Sequence, residues 1–290
     1  MKHTTGVVVR VTEQRALADE WALVLVAESL SPSVRPGDQG YAVCVPATEA
    51  QRAAEALASY ERENPLEAAP VGEPVAAGHL ETALGVSAAL IGFFAVTGAR
   101  HPAVLWFQRG SADAARILDG ELWRTATALT LHADLAHVVA NACVGAFFLN
   151  AVCRAWGPGL GLALVLLAGI AGNLLNALAY GTAHVSVGAS TAVFGAVGVL
   201  TGTAVARRRR RGARGRRALL PIAAGLGLLA MLGVSPRVDL WAHLFGFVCG
   251  VAPGAGVRLA LRRPPPIVVQ ALLGAGALAA ILGSWQLALR

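Results

Sequence analysis

Seven stretches of the chain are apolar enough to read as membrane-crossing helices. They are Thr82–Ala99, Leu135–Cys153, Gly159–Tyr180, Val187–Ala206, Ala218–Val234, Leu240–Val257 and Ile267–Leu289. A helix rises 1.5 Å per residue, so about 20 apolar residues cross a bilayer, and the fifth and sixth segments fall short of that. Composition points the same way. Of 290 residues, 56% are hydrophobic and 14% charged, whereas a soluble domain carries about a quarter charged residues. Lipid offers no hydrogen bonds to a backbone, so the segments predict an all-α polytopic bundle, six core spans plus a seventh.

The net charge of +7 is concentrated rather than spread: eight arginines lie within Arg207–Arg217, between two apolar segments. That run reads as a topology signal and not as a nucleic-acid patch. If residues 1–63 are cytoplasmic, the inner connections hold that run with Arg154, Arg258, Arg262 and Arg263. The outer connections hold Arg100, Arg109, Arg116, Arg124, Arg237 and Arg290, four of them in one long connection over 100–133. The short-loop bias predicts a multi-pass protein of the cell membrane with its N-terminus inside and, after seven spans, its C-terminus outside. The long connection carries Trp106, Phe107, Leu118, Leu122 and Trp123, which suits the membrane interface. Cys44, Cys143, Cys153 and Cys249 have no short pair spacing, so neither a disulfide framework nor a zinc motif is implied. Met1–Thr5 is followed by an apolar run too short for a signal peptide.

Residues 1–63 differ from the rest. Gly6–Val11 reads as a strand; Glu13–Ser29 places Leu17, Trp21 and Leu25 on one helical face. Ser33–Arg35 and Tyr41–Val45 flank the turn-rich Pro36–Gly40, and Thr48 with Gln51 forms a capping-box pattern before a second helix with Ala53, Leu57 and Tyr60 inward. The order β-α-β-β-α predicts a small α/β domain over 1–63, then a linker over 64–78. The core spans occupy 79–263 and the seventh helix 264–290, after Pro264–Pro266.

Polar groups inside spans are costly and call for a reason. His137 and Asn141 lie one helical turn apart in the second span, Ser190 opens the fourth, and His243 opens the sixth. With the N-terminus inside, all three spans enter from the outer side, and all four residues fall within about 10 Å of that end. A histidine can serve as base for a serine, and free amides at a helix N-terminus suit an oxyanion. Gly188 frees the backbone before Ser190, and Gly246 with Gly250 flattens the face of the sixth span so that the fourth, with Gly188, Ala192 and Gly195, can approach. Each residue has a plainer reading. Ser190 can be packing, His243 a structural group or proton path, and His137 with Asn141 interhelical glue. Asp239 reads as the cap of the sixth helix or as a third triad member, Asn173 and Asn176 as structural hydrogen-bond formers, and His184 and Ser186 as loop residues.

Over residues 120–257 these motifs resemble the rhomboid family of intramembrane serine proteases. Trp123-Arg124 looks like its first-loop motif, and His132 with His137-x-x-x-Asn141 like the start of its second span. Gly188-Ala189-Ser190-Thr191 looks like its nucleophile motif, and His243-x-x-Gly246-x-x-x-Gly250 like that of its sixth span. The resemblance implies Ser190 as nucleophile and His243 as base, with His137, Asn141 and the Ser190 amide as oxyanion hole. It implies Phe194 packed on the catalytic histidine, Trp123 and Arg124 as structural members of the loop, and no cofactor or metal. Thr191 stands where glycine is frequent, a departure that narrows the site. The implied partners are transmembrane protein substrates within the lipid bilayer. The rival readings are an inactive rhomboid-like protein that binds membrane clients, and a transporter. The first would usually lack Ser190 or His243, and the second would place its polar cluster at the midplane.

Overall fold

A computed structural model describes residues 6–37, 40–64, 79–182, 184–210, 212–213, 215–232 and 239–290. Met1–Thr5, all but Asn64 of the expected linker, the middle of the Pro36–Gly40 turn, and Arg211, Arg214 and Arg237 of the charge pattern lie outside them. The chain divides into two compact units, Met1–Pro74 and Val75–Arg290.

In the first unit, β1 (Val7–Thr12), α1 (Arg15–Ala27), β2 (Ser33–Gly37), β3 (Gly40–Val45) and α2 (Ala50–Glu63) follow one another. β3 is the central strand, antiparallel to both neighbours. Its Val43 and Val45 meet Ala18, Trp21 and Leu25 of α1 and Ala53 and Leu57 of α2 in one core. Leu17, expected on that face, and Tyr60 are only partly buried. The capping box does not form: a 3-10 turn, Ala47–Glu49, precedes α2, whose N-cap makes no side-chain bond. The Glu49 carboxylate instead accepts from the Ser31 amide at 2.8 Å. Arg10 and Glu61 pair through two 2.9 Å bonds.

The second unit is a helical bundle: α3 (Leu80–Thr97), then after the long connection α7 (Leu135–Trp156), α8 (Pro158–Tyr180), α9 (Ser190–Arg210), α10 (Arg216–Leu232), α11 (Leu240–Ala260) and α12 (Ile267–Ala288). All but α10 are long and apolar enough to cross a membrane; α10, at 17 residues with Pro221 inside it, stays the short one. The sixth segment proves longer than its apolar run, 21 residues, because the helix continues through Arg258 in its last turn to Ala260. α9 likewise runs four residues past Ala206 into Arg207–Arg210. Arginines in the last turn complement the negative end of the helix dipole.

The bundle is organised by backbone contact. α9 and α11 pack along glycines: a Cβ on Gly246 would overlap the Thr191 carbonyl oxygen, and one on Gly250 that of Gly195. One on Gly198 would overlap the Phe247 carbonyl, and one on Gly254 that of Val199. α8 joins at Gly172, whose Cβ would lie 2.7 Å from the Thr191 methyl and 2.8 Å from the Gly246 nitrogen. Between lipid-immersed helices close van der Waals contact replaces the hydrophobic drive, and small residues are what permit it. The expected small face of α9 touches α11 only through the Gly195 carbonyl: a Cβ on Gly195 itself would lie 2.7 Å from that of Ala168 in α8, and Gly198 and Gly202 are the α9 glycines that close on α11. Ala192 meets Gly169 of α8, and Gly188 lies before the helix.

The long connection folds into short pieces: α4 (Leu105–Gly110), β4 (Ala112–Asp113), α5 (Ala114–Leu118), α6 (Arg124–Thr127) and a 3-10 turn, Ala128–Thr130. Arg124, 1% exposed, holds it together. Its guanidinium donates to Glu121 at 2.6 Å and to the Gln108 and Ser111 carbonyls at 3.0 and 3.1 Å. Asn173 of α8 donates to the Thr125 carbonyl at 2.8 Å, as a structural hydrogen-bond former should. Trp106 stacks edge-on with Phe93 of α3 and Trp285 of α12, and the Trp285 indole donates to Thr130 at 3.1 Å. At the other end of α12, buried Gln270 accepts from the Leu160 amide and donates to the Trp156 carbonyl, both at 2.8 Å, satisfying groups that the α7–α8 turn orphans.

Two outcomes follow for thermal unfolding of the purified protein in detergent. Gly250→Ala should destabilise it by about 1–3 kcal/mol through overpacking, while Gly256→Ala, on the same helix with nothing within 4 Å, should be neutral or stabilising. Arg124→Ala should cost about 3–5 kcal/mol, and Arg124→Lys should recover only part of that, since an ammonium cannot span three acceptors.

Candidate active site

Three helices begin at one cavity of about 730 Å³, lined by His137 and Asn141 of α7, Ser190 of α9 and His243 of α11. Each start has a local cause. Asp134 caps α7 by accepting from the His137 amide at 2.8 Å, and Asp239 caps α11 by accepting from the Ala242 amide at 3.0 Å. α9 begins at Ser190 rather than Val187. The residues just before it form β5 (Val185–Ser186), paired antiparallel with β4. From there the Gly188 amide donates to the Ala128 carbonyl at 2.9 Å and the Ala189 amide to His132 Nε2 at 3.4 Å. The first helical bond is Val193 N–H to Ala189 O at 3.0 Å, so the Ser190 amide is one of the orphan donors of the helix start.

Gly188 sits at φ +130°, and a Cβ there would lie 2.6 and 2.8 Å from Cε1 and Nε2 of His137. The glycine thus lets the backbone before Ser190 approach His137, rather than serving α11. His137 Nδ1 accepts from the Ala133 amide at 3.3 Å. A neutral imidazole so engaged carries its proton on Nε2, the nitrogen beside Gly188. Asn141 is 7% exposed, and its amide Nδ2 has no partner among the described residues. Two donors therefore line the cavity that holds Ser190, with no acceptor for either among the described residues.

His243 is buried and stacks on Phe194 one turn along α9, ring centroids 4.5 Å apart at 30°. Its Nδ1 is buried without a partner among the described residues. Asp239 does not serve it as a triad member: beyond capping α11, its other oxygen accepts from Asn176 at 2.7 Å and meets His184 Nε2 at 2.5 Å. His184 is thus more than a loop residue. The depth argument that grouped His137 with His243 would also have paired Asn176 with Asp239, both at the same ends of neighbouring helices. Ser190 and His243 share the cavity, but no hydrogen bond joins them among the described residues. The Thr191 methyl turns to Gly172 and Gly246, so much of the threonine fills the helix junction. Trp123 belongs to the aromatic cluster around Trp285, and Gly246 and Gly250 to the α9–α11 seam. The cavity wall is mixed: Val144, Phe148, Val193 and Val197 form an apolar part, and Arg100, Asp134, Tyr180, His184 and Asp239 a polar one.

His132, fully buried beside His137 with ring centroids 5.2 Å apart, lies in the connection before α7. Burial, then the neighbouring His137, lowers its pKa from the usual 6.5 to about 4. The folded imidazole stays neutral where the unfolded one takes up a proton, so its contribution is intact above pH 6.5 and is lost as pH falls from 6.5 toward 4. Thermal unfolding followed across that range should show the loss, and His132→Gln, which keeps an acceptor for Ala189, should flatten it; an unchanged slope would remove His132 from the account.

A family model described as "Rhomboid domain" matches residues 119–259. "Putative rhomboid protease YdcA" of Bacillus subtilis (strain 168) is 29% identical over 167 residues, 58% of this chain and 81% of that protein. "RHOMBOID-like protein 1" of Arabidopsis thaliana is 34% identical over 46% of this chain, and the match covers 34% of that protein. "Rhomboid-like protease 3" of Toxoplasma gondii is 35% identical over 49% of this chain and 54% of its own length. The match thus spans most of the Bacillus protein and about half or less of the other two.

Proposed function

The chain is a multi-pass membrane protein of the rhomboid family, and from that premise we propose that it is an intramembrane serine endopeptidase. It cleaves single-span membrane proteins near the outer end of their transmembrane helix. The observation that carries this reading is the convergence of Ser190, His243, His137 and Asn141 from three helix starts on one cavity.

The chemistry follows from the donors and acceptors. Ser190 Oγ attacks the scissile carbonyl carbon while its proton passes to His243, acting through Nε2 because Nδ1 is enclosed. The carbonyl oxygen becomes an oxyanion and accepts from Asn141 Nδ2–H, His137 Nε2–H and the Ser190 amide. The C–N bond then breaks, and His243 returns the proton to the leaving amine. Water attacks the acyl-enzyme, gives its proton to His243, and releases the carboxylate with Ser190 restored. Asp239 is engaged elsewhere, so the machinery is a dyad, with Phe194 holding the His243 ring plane. Trp123 and Arg124 are structural. The arginine bias supports a cell-membrane protein with a cytoplasmic small α/β domain over 1–63, a linker over 64–78, a catalytic core over 79–263 and a seventh helix over 264–290 that ends outside.

One observation favours a second reading, a client-binding protein without turnover: the resting site has no Ser190–His243 hydrogen bond among the described residues. Catalytic hydrogen bonds often tighten only with substrate, which keeps the protease reading first. Incubation of the purified protein with a labelled single-span peptide in lipid vesicles separates the two. Ser190→Ala and His243→Ala should abolish cleavage, and Asn141→Ala or His137→Ala should each lower kcat by about 10²–10³. Cleavage by neither wild type nor variants across a broad panel would favour client binding, and cleavage that survives both dyad substitutions would remove the site assignment.

A further inference from the structure

Beside the dyad stands a second polar cluster that the proposed chemistry leaves unused. Asp239 Oδ2 is shared by two donors, Asn176 Nδ2 at 2.7 Å and His184 Nε2 at 2.5 Å, while Oδ1 caps α11 through the Ala242 amide at 3.0 Å. The ring of His184 lies flat on Tyr180, centroids 4.1 Å apart at 10°. Its backbone carbonyl accepts from the Ala114 amide at 2.9 Å. Asn176 is 2% exposed. One carboxylate and one imidazole thus tie together the end of α8, the connection before Ser190, the long connection at α5, and the first turn of α11. Tyr180, His184 and Asp239 all line the cavity that holds the dyad.

From this geometry we infer that His184, with Asn176, is a positioning residue. Through Asp239 it fixes the axial register of α11, and hence of His243, against Ser190. The inference rests on the dyad reading. The α9–α11 contact alone sets distance well and register poorly. At Gly250 and Gly254 the two backbones touch directly, and at Gly246 only the Thr191 methyl joins the contact, so the seam has few knobs to resist sliding or rocking. His243 is the fourth residue of α11, one turn past the Asp239 cap. A latch at the cap acts where register matters, and it draws on α8 and on the segment leading to Ser190, so nucleophile and base are referred to the same anchor. The latch needs an acceptor with two oxygens, one for the helix cap and one for the two donors, which a carboxylate supplies and an asparagine does not.

The test uses the full-length protein in vesicles of phosphatidylethanolamine and phosphatidylglycerol, with a fluorophosphonate as probe. In the labelling step Ser190 Oγ attacks phosphorus, its proton passes to His243, and fluoride leaves. The maximal labelling rate reports on alignment of the dyad, and the half-saturating probe concentration on binding. His184→Ala and Asn176→Leu should each lower the maximal rate by about tenfold, with half-saturation changed less than about twofold. The double variant should lose less than the product of the two, because both act through one carboxylate. His184→Gln, which keeps an N–H donor, should recover most of the rate, an outcome that a general loss of fold would not give. A wild-type rate per labelled site in His184→Ala, with Ser190→Ala unlabelled, overturns the latch and leaves the dyad standing. Label that persists in Ser190→Ala overturns both.

Discussion

The site depends on one contact, the backbone-to-backbone seam of α9 and α11. Helices in lipid gain nothing by hiding apolar side chains from an equally apolar solvent, so they associate where their backbones can come close. Gly198 and Gly202 on one helix and Gly246, Gly250 and Gly254 on the other make that approach possible. Because Ser190 is the first residue of α9 and His243 the fourth of α11, the same seam carries both to one cavity. The Phe194–His243 stack lies within it and orients the ring. Packing and chemistry are therefore one feature: the glycines that read most simply as packing are what bring the serine's helix to the histidine's.

Arg124, Asn173 and Gln270 are buried and engaged by carbonyls, amides or a carboxylate. Around the cavity, Asn141 Nδ2 is a buried donor without a partner among the described residues, and His137 Nε2 lies beside Gly188. A buried unsatisfied polar group costs about 1–3 kcal/mol. Buried polar atoms without a partner also occur among the described residues at Trp21, Thr97, Trp123 and Asn150, so what singles out Asn141 and His243 is that they line one cavity with Ser190. His132, neutral by burial, completes the arrangement by accepting from the amide that precedes Ser190.

The bundle and the small β-α-β-β-α unit were legible because they rest on periodicity and composition, which are local. Span positions, the Asp134 and Asp239 caps and the shared depth of His137, Asn141, Ser190 and His243 all came from counting residues along helices. The misreadings have one source, contacts far apart in sequence. Val187–Ala189 are apolar and so joined the fourth span, but β5, Ala128 and His132 draw that stretch out of the helix. Gly188 reads in the sequence as backbone freedom before Ser190, which its φ of +130° bears out, and as helix packing, because sequence cannot say that His137, some fifty residues earlier, lies against it. Thr48 and Gln51 met the capping pattern, yet a 3-10 turn took the helix start and Glu49 turned to Ser31. His184 looked like loop because its partner, Asp239, is 55 residues away.

The most direct measurement is to map by mass spectrometry where a fluorophosphonate attaches to the purified protein. The account predicts a single adduct on the peptide that contains Ser190, lost in His243→Ala although that variant keeps its fold. An adduct on another residue, or one on Ser190 that forms as fast in His243→Ala as in the wild type, would contradict it.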